Sequence, residues 1–432
     1  MPSKVFQVQA KDSVVKFNAF DAVNGIQNLS TDPTFNEEYY TELGNVNYTA
    51  QSRNPETAGS FEVTATGSLP SILARMLYNY STQTYMFDPA TKGNAFTISE
   101  VDLENLIFDL IDLKQPGQTF ATAELIPNCQ VSQISIRVDA TGTGSETINF
   151  EAALQEGYYK PYQDMISIPM ATINSGEIQV PAAYTSLGIN SGTYAIMYVF
   201  KDNQKTDTTG NQAIWKAAVS DRISVAGGNS NFTTAAPFDR VMAVLYKRVP
   251  GVFPTIYYPT SSRFVRGDRT DIWLVASGTL PGAINDATRL LRCQSADISI
   301  DLSRDKLQEI RRNDDGTTIY FRGLNYPIKI TANINLLETT LQQWADLQGK
   351  TLNESAPVTP VDLNNVMNLA GFNALKLQIK YWKVGNNTTP ICTIVLDNLN
   401  ITAFSERQQT GGRAERTLSY TGSEIDLIGN SI

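Results

Sequence analysis

The sequence predicts a mainly β fold: two repeated β-sandwich or barrel domains, each with a short flanking α-helix, and an inserted β-sandwich-like domain. Runs of alternating or β-branched residues, such as 131–137, 375–382 and 391–396, are typical of strands and are bounded by turn residues. Strand and turn patterns recur at a nearly constant distance along the chain, which indicates an internal duplication. The 432 residues are enough for two or three domains at roughly 150 residues each.

The duplication relates the first third of the chain to the last third. At an offset of 267 residues, the strand-like segment 61–66 falls on 328–333. At an offset of 270, segment 125–150 falls on 395–420, and both stretches end in a predicted β-hairpin with a Gly-containing turn. The recurring order of these patterns, rather than residue identity, is the basis of the predicted repeat.

Each copy is predicted to contain one short helix directly after a strand. In the first copy, Ser68 can cap the helix and Pro70 suits its first turn. In the second, Asn335 and Glu338 have the spacing of a capping box. The apolar stripes of the two helices are Leu69, Ile72, Leu73, Met76 and Leu77 in the first and Leu337, Leu341 and Trp344 in the second.

These patterns divide the chain into domains at residues 1–155, 156–285 and 286–432. The outer two are the repeated domains, and the middle one has strand-like runs without a counterpart in either copy. Acidic and basic residues number 18 and 8, 9 and 11, and 16 and 15 in the three parts, which sums to the net charge of −9. The acidity therefore lies in the first copy.

The composition argues against most enzyme chemistry. There is no histidine, which removes the commonest general base and the Ser-His-Asp arrangement. Cys129, Cys293 and Cys392 match neither a disulfide framework nor a zinc-ligand spacing, and no phosphate-binding or calcium-binding loop motif occurs. We therefore predict a protein that is not an enzyme, with no catalytic residues, no cofactor and no metal site.

The sequence also bears on where the protein acts. The N-terminal residues lack the apolar region of a signal peptide, and the longest apolar runs are far shorter than a bilayer span. We expect a protein that is made in a cytoplasm and binds no membrane. Because phosphate neutralisation needs a clustered excess of Lys and Arg, the acidic balance argues against specific binding of nucleic acid.

Two stretches of the chain carry a resemblance to a known family. Residues 25–30 and 35–44, followed by the strand-like 61–65 and a predicted helix, resemble the tail tube proteins of long-tailed bacteriophages. Residues 296–303, 307–310 and 327–332 look the same. The resemblance covers the two outer domains and consists of strand and helix patterns rather than catalytic motifs. The middle domain departs from the simplest members.

The resemblance implies a structural virion protein. One sheet of each copy would join its neighbours into a continuous β-barrel around a lumen, which removes exposed sheet edges. Since single-copy members form six-membered rings, a two-copy chain would form trimeric rings with pseudo-sixfold symmetry. These rings would stack into the tail tube, a channel for genome delivery, with the middle domain on the exterior.

The resemblance also implies partners and a location. The partners would be other copies of the chain, other phage tail proteins, and DNA that passes through without specific binding. A lumen lined by charges of the same sign as DNA would let the DNA slide. The protein would be part of the virion tail after synthesis in the host cytoplasm.

Alternation along the strands predicts which residues face the lumen or a neighbouring ring. If the apolar residues of a strand face the core, their sequence neighbours face the opposite side of the sheet. The candidates are Glu62, Thr64 and Thr66 in the first copy, Lys329, Thr331 and Asn333 as their equivalents in the second, and Gln133, Ser135 and Arg137 on the hairpin strand.

Two other classes of function stay open. A carbohydrate-binding adhesin, or another virion surface protein, would need the aromatic residues Trp215, Tyr257, Tyr258 and Trp273 to cluster in an exposed groove. A glycosidase would need two carboxylates that face each other across a cleft. No spacing in the sequence points to such a pair, so the glycosidase ranks last.

Overall fold

Strands dominate the part of the chain that the structure describes. The computed structural model describes residues 13–17, 25–34, 37–42, 45–51, 56–64, 78–79, 84–85, 95–97, 106–114, 122–152, 155–159, 165–168, 172–174, 177–180, 194–203, 213–215, 223–225, 239–247, 269–276, 293–312, 318–325, 327–337, 375–382, 390–407, 415–422 and 424–429. No α-helix occurs among these residues. The prediction of a mainly β protein is confirmed.

The strands are numbered in chain order. Before the middle of the chain they are β1 (Ser13–Phe17), β2 (Ile26–Thr34), β3 (Glu37–Glu42), β4 (Asn45–Gln51), β5 (Glu56–Thr64), β6 (Tyr78–Asn79), β7 (Thr84–Tyr85), β8 (Ala95–Thr97), β9 (Ile107–Lys114), β10 (Thr122–Asp139), β11 (Ser145–Ala152) and β12 (Glu156–Tyr159). In the middle they are β13 (Met165–Ile168), β14 (Thr172–Asn174), β15 (Glu177–Val180), β16 (Tyr194–Asn203), β17 (Ala213–Trp215), β18 (Ile223–Val225) and β19 (Asp239–Lys247). After it they are β20 (Thr270–Ala276), β21 (Cys293–Asp301), β22 (Arg304–Arg312), β23 (Thr318–Leu324), β24 (Lys329–Leu337), β25 (Leu375–Trp382), β26 (Pro390–Arg407), β27 (Glu415–Gly422) and β28 (Glu424–Gly429).

Eight strands form one long antiparallel sheet in the order β2-β5-β11-β10-β21-β24-β27-β26. The first four strands come from the part of the chain before the middle strands, and the last four come from the part after them. When the four strands of a set are counted along the chain, their order across the sheet is first, second, fourth and third. Strand β10 pairs directly with β21, so the sheet continues without a break from one set to the other.

The two longest strands, β10 and β26, take part in two layers. The C-terminal part of β10 lies in the long sheet, and its N-terminal part pairs with β9 and β12. The N-terminal part of β26 pairs with β25 and β28 in the same way. Strand β1 then pairs with β9, and β20 pairs with β25. Seven strands before the middle of the chain thus have the same pairing pattern as seven strands after it.

Breaks in the strand register, which mark β-bulges, recur at constant offsets. In the first set they lie at Ile126/Cys129 and Val131/Gln133 of β10 and at Ile26/Asn28 of β2. In the second set they lie at Leu396/Leu399 and Ile401/Ala403 of β26 and at Cys293/Ser295 of β21. The offset is 270 residues for the long strands and 267 for β2 and β21. Bulges bend a strand, which fits their position where β10 and β26 pass from one layer to the other.

One bulge has a left-handed backbone. Asn398 has a φ of 52°, a conformation that asparagine tolerates better than most residues. Its N–H donates a hydrogen bond of 2.8 Å to Oδ1 of Asp397. Asn128 is the residue 270 positions earlier, so the same residue type stands at this position of both long strands.

The register corrects one part of the predicted duplication. The pairing of β5 with β2 and β11, compared with that of β24 with β21 and β27, relates Phe61 to Ile334 and Val63 to Leu336, an offset of 273. The predicted match of segment 61–66 with 328–333 is therefore wrong by six residues. Lys329, Thr331 and Asn333 are not the equivalents of Glu62, Thr64 and Thr66. Because side chains alternate with a period of two, an error of six residues keeps every side chain on the same face.

The helix predicted to start at Asn335 does not start there, because β24 continues to Leu337. The buried residues of β24, which are Ile330, Ala332, Ile334 and Leu336, keep the strand period of two. The amide of Asn335 bonds Ser295 and Thr417 across the sheet instead of capping a helix. The other predicted helix, at residues 68–77, lies outside the described residues, as do residues 338–374.

The apolar side of the long sheet packs against the second layer. In the first half, Phe108 of β9 contacts Phe61 and Phe150 of the long sheet edge-on, with ring centroids 5.8 Å and 5.3 Å apart. Gly59 lies opposite Phe150 in the pairing of β5 with β11. A Cβ at Gly59 would overlap the ring of Phe150, so the ring fills the space that a side chain would need.

The middle strands form two separate small sheets, in the orders β13-β19-β16-β17 and β14-β15-β18. Hairpins β3–β4 and β22–β23 follow β2 and β21, respectively, and β6 pairs with β7. Strand β20 pairs with β25 of the large sheet, although its residues fall within the predicted middle domain.

Replacing Gly59 with alanine tests the packing of the phenylalanine cluster. The Gly59→Ala variant should lose about 1–3 kcal/mol of unfolding free energy, because the Phe150 ring must move to admit the methyl group. Ala58→Ser, at an exposed neighbouring position, should change the unfolding free energy by less than about 0.5 kcal/mol. Urea unfolding of the two variants and the parent gives both values. An equal effect of the two substitutions would contradict the packing argument.

Candidate functional site

The candidate site is the face of the long sheet that points away from the core, called the polar face below. Its residues alternate with the residues that face the core, which are buried on β5, β11, β10, β21, β24 and β27. They are Asn28, Ser30, Asp32 and Thr34 of β2; Glu56, Ala58, Ser60, Glu62 and Thr64 of β5; Ser145, Thr147, Asn149 and Glu151 of β11; Gln133, Ser135, Arg137 and Asp139 of β10; Ser295, Asp297, Ser299 and Asp301 of β21; Lys329, Thr331, Asn333, Asn335 and Leu337 of β24; Glu415, Thr417, Ser419 and Thr421 of β27; and Ala403, Ser405 and Arg407 of β26.

The structure places the sequence-predicted candidates as follows. Gln133, Ser135, Arg137, Glu62, Lys329, Thr331 and Asn333 lie on the polar face and are exposed or half-buried. Thr64 lies at the same side of β5 but is only 7% exposed. Thr66 lies outside the described residues. Pairing brings Ser135 opposite Ser299, and Ser299 opposite Thr331, so candidates from both halves share one continuous surface.

Hydrogen bonds between short side chains cross the polar face in its second half. Nδ2 of Asn335 donates to Oγ of Ser295 at 2.8 Å, and the hydroxyl of Thr417 donates to Oδ1 of Asn335 at 2.7 Å. The hydroxyl of Ser419 donates to Oδ1 of Asn333 at 2.7 Å. These bonds join β21, β24 and β27 by uncharged groups.

Gln133 makes the corresponding link where the two halves meet. Its Oε1 accepts a hydrogen bond of 2.8 Å from Nδ2 of Asn149, and its Nε2 donates one of 2.8 Å to Oγ of Ser299. Gln133 thus connects β11, β10 and β21 in a single chain of amide and hydroxyl groups. Arg137 and Asp297 form an ion pair at 3.8 Å across the same joint, and both side chains are well exposed. Exposed pairs of this kind contribute little to stability.

The charges of the polar face are predominantly acidic. The acids are Asp32, Glu56, Glu62, Asp139 and Glu151 in the first half and Asp297, Asp301 and Glu415 in the second. The bases are Arg137 in the first half and Lys329 and Arg407 in the second. Eight acids against three bases give a net formal charge of −5, of which −4 belongs to the first half. The surface is therefore mostly uncharged, with an acidic excess on one side.

The turn between β10 and β11 has one carboxylate with a shifted pKa. The backbone N–H and the hydroxyl of Thr141 both donate to Oδ1 of Asp139 at 3.0 Å, which lowers the pKa of Asp139. A lowered pKa stabilises the fold above the carboxyl group's ordinary pKa, and this contribution is lost as the pH falls through the lowered value.

Sequence reasoning missed several members of the polar face, above all Asn149, Ser295, Asn335, Thr417 and Ser419. Strand alternation would have assigned each residue to a face. The contacts between them depend on the strand register, which a single sequence does not determine. For Asn335 a local signal was present but missed: the apolar alternation of β24 continues beyond Asn335 and indicates a strand.

Two further features of the described residues bear on the predicted functions. They include no group of three or more Asp, Glu or Cys residues that could hold a metal ion. Trp273, one of the aromatic residues considered for sugar binding, is fully buried, with Nζ of Lys380 4.2 Å from its ring centroid. Tyr257 and Tyr258 lie outside the described residues. No helix in the described part is long and apolar enough to cross a membrane.

Replacing Gln133 with alanine tests the link between the two halves. The Gln133→Ala variant should lose about 1–2 kcal/mol of unfolding free energy, because two side-chain hydrogen bonds are removed. Ser405→Ala, at an exposed position of the same face, should change the unfolding free energy by less than about 0.5 kcal/mol. The midpoint of urea unfolding measures both. Unaltered stability of Gln133→Ala would show that the bonds across the joint contribute nothing.

Comparisons with known proteins identify no family. No family model matches the chain, and no curated protein matches it. Among solved structures, the chain has 9% identity to the "TodX monoaromatic hydrocarbon channel deltaS2 mutant", over 97% of this chain and 88% of that chain, with a TM-score of 0.09.

Proposed function

We propose that this protein is a structural virion protein that self-assembles into stacked rings, forming the tail tube of a long-tailed bacteriophage, a channel for genome delivery. The observation that carries the proposal is the long sheet. Two sets of four strands, with the same order and the same bulges, are joined edge to edge and share one polar face. A sheet of this kind can extend from chain to chain without changing its construction.

The duplication supports the assignment of two tube-type domains to the chain. Seven strands and a hairpin recur in the same chain order, β1–β5 with β9–β12 and β20–β28. In each copy, four strands belong to the long sheet and three cover its apolar side. Each copy is thus a unit with one face packed and one face free to line a channel. The middle strands form sheets of their own and fit a domain on the tube exterior.

The dimensions of such a ring suit a channel for DNA. Three chains with eight strands each would close a ring of 24 strands. At a strand spacing of about 4.8 Å and a tilt of about 40°, the backbone ring is about 48 Å across and leaves a lumen of about 35–40 Å. A ring of two chains would leave only about 20 Å. Three chains therefore give a lumen with clearance around a DNA duplex.

The chemistry of the polar face supports a channel that does not retain DNA. Hydroxyl and amide groups of this face bond one another across the strands, so part of their hydrogen-bonding capacity is already used. The net charge of −5 has the same sign as the DNA backbone and opposes adhesion. The partners of this protein are then its own copies, other tail proteins and passing DNA, and its location is the virion tail.

No observation on the described residues favours the alternatives of an adhesin or a glycosidase. The burial of Trp273 removes one of the aromatic residues that an exposed sugar-binding groove would need. The buried carboxylates Asp112, Glu146 and Asp397 lie on strands of the packed sheet, and nothing places two of them across a cleft.

Electron microscopy of the purified protein across a concentration series tests the proposal. We expect rings, and tubes at higher concentration, with a central channel and threefold or pseudo-sixfold symmetry. Addition of preformed tail initiator complexes, or of short tube fragments as seeds, provides a second condition for assembly. A protein that stays monomeric in both conditions would contradict the proposal, and binding of glycans by that monomer would favour the adhesin.

Reversing charge on the polar face tests its role as a lumen lining. Tubes of the Glu62→Lys variant should retain duplex DNA at low salt and release it as the salt concentration rises, because each tube then presents a repeated basic residue. In virions the same variant should slow genome ejection more than it impairs tube assembly. Glu62→Gln is the matched control, which removes the acid without adding a base. Ejection at the parental rate with the lysine in place would argue that Glu62 does not face the lumen.

A further inference from the structure

We propose that the edge of β26 in one copy of the chain pairs antiparallel with the edge of β2 in the next copy, in the register of the β10–β21 joint inside the chain. This inference rests on the proposed self-assembly and names the contact that would produce it. The partner is a second copy of the same chain, and the contact is heterologous, because two different edges meet.

The two ends of the long sheet present these edges. Among the described strands, β2 pairs only with β5, and residues 400–407 of β26 pair only with β27. Asp32 of β2 and Ser405 of β26 are exposed, whereas their equivalents at the internal joint, Ser299 and Ser135, are half-buried. Edges of this kind are templates for pairing with another strand.

The internal joint supplies the template for the contact. Strand β10 is equivalent to β26, and β21 is equivalent to β2, by strand order and by the position of their bulges. The joint between β10 and β21 spans seven opposed pairs, from Gln133↔Asp301 to Asp139↔Ser295. At its two ends, Leu302 N–H donates to Ser132 C=O at 2.9 Å, and Ala140 N–H donates to Gln294 C=O at 2.8 Å. The chain thus already contains one complete example of the contact.

The offsets transfer this register to the contact between copies. Adding 270 to the β10 residues and subtracting 267 from the β21 residues converts Gln133↔Asp301 into Ala403↔Thr34. The same operation places Ser405 opposite Asp32 of the next copy and Arg407 opposite Ser30. All of these side chains lie on the polar face, so the face would continue across the boundary between copies.

The charges of the two edges are complementary in this register. The side chain of Arg407 lies diagonally from Asp32 of the next copy, within reach of a long side chain. At the internal joint, Arg137, the equivalent of Arg407, pairs instead with the directly opposed Asp297 at 3.8 Å. Both Asp32 and Arg407 are exposed, so the approach of the edges would bring opposite charges together at the rim of the lumen.

The contact between copies would differ from the internal joint at Pro33. Its counterpart in β21 is Ile300, two residues before Leu302, whose N–H points toward β10. Proline has no N–H, so the contact between copies has one backbone hydrogen bond fewer than the internal joint. Proline is tolerated on edge strands for this reason, and the contact would be weaker than the joint within the chain.

Disulfide trapping tests the register. Ser405 and Asp32 occupy the place of Ser135 and Ser299, an opposed pair between the hydrogen-bonded pairs, where the Cα atoms are about 4.5 Å apart. That distance suits a disulfide. The Asp32→Cys/Ser405→Cys double variant should form disulfide-linked chains in assembled samples. If rings contain three copies, the ladder on a denaturing gel should stop at the trimer.

Matched variants fix the interpretation of this experiment. Ser135→Cys/Ser299→Cys should form the same bond within one chain and shows that oxidation works in this geometry. Ser30→Cys/Ser405→Cys places the thiols diagonally, with Cα atoms about 7–8 Å apart, beyond the usual limit for a disulfide. A mixture of the two single variants, Asp32→Cys and Ser405→Cys, should give dimers and no larger product. Cys129 is buried and burial raises the pKa of the Cys293 thiol to about 12, so both native thiols compete poorly, and Cys392 is replaced by serine.

The outcomes separate the register from the proposed assembly. Rings with linked chains in the Asp32→Cys/Ser405→Cys variant, and few in the diagonal variant, support the inference. Rings without linked chains, while the Ser135→Cys/Ser299→Cys bond forms, overturn the inference and leave the proposed function standing. Preferential linking of the diagonal variant overturns the register. The absence of both rings and linked chains overturns the inference and the proposed function together.

Discussion

The pairing of β10 with β21 is the contact on which the rest of the structure depends. It joins strands from the two ends of the chain into one sheet, with Ile134, Ile136, Ile298 and Ile300 buried on its inner side. A slip by one residue would expose these side chains and bury their polar neighbours, so the hydrophobic pattern holds the register. The continuity of the polar face across the joint follows from this constraint.

The two halves fill the same core positions with different residues. A small residue lies opposite an aromatic one at one position of each half: Gly59 opposite Phe150, and Ala332 opposite Tyr420. The aromatic side chains are buried in both cases. The bulges of the long strands recur at equivalent positions even where the residues differ. Backbone geometry is therefore shared more fully than side chains are, as expected where bulges direct each long strand from one layer into the other.

The sequence was sufficient to predict features set by local pattern. The run 375–382 coincides with β25. Gln133, Ser135 and Arg137 lie on the other face of the sheet from Ile134 and Ile136, because alternation with a period of two reports directly on burial. The match of segments 61–66 and 328–333 failed because the alternating pattern of a strand looks the same after a shift by any even number of residues. Asn335 was misread since the spacing of a capping box, which is a local signal, competed with a strand that is stabilised by its neighbours.

The placement of one joint inside the chain has a consequence for the control of size. If copies join through β26 and β2, strands enter a closed assembly in steps of eight, so neighbouring closures differ by about 16 Å in backbone diameter. A separate four-stranded subunit would allow steps of half that size. A ring with one chain too many or too few would then need a sheet that bends very differently from the sheet of the correct ring. In an assembly of that kind, carrying two four-stranded sets in one chain would make the diameter of the channel less sensitive to small variations in the bending of the sheet.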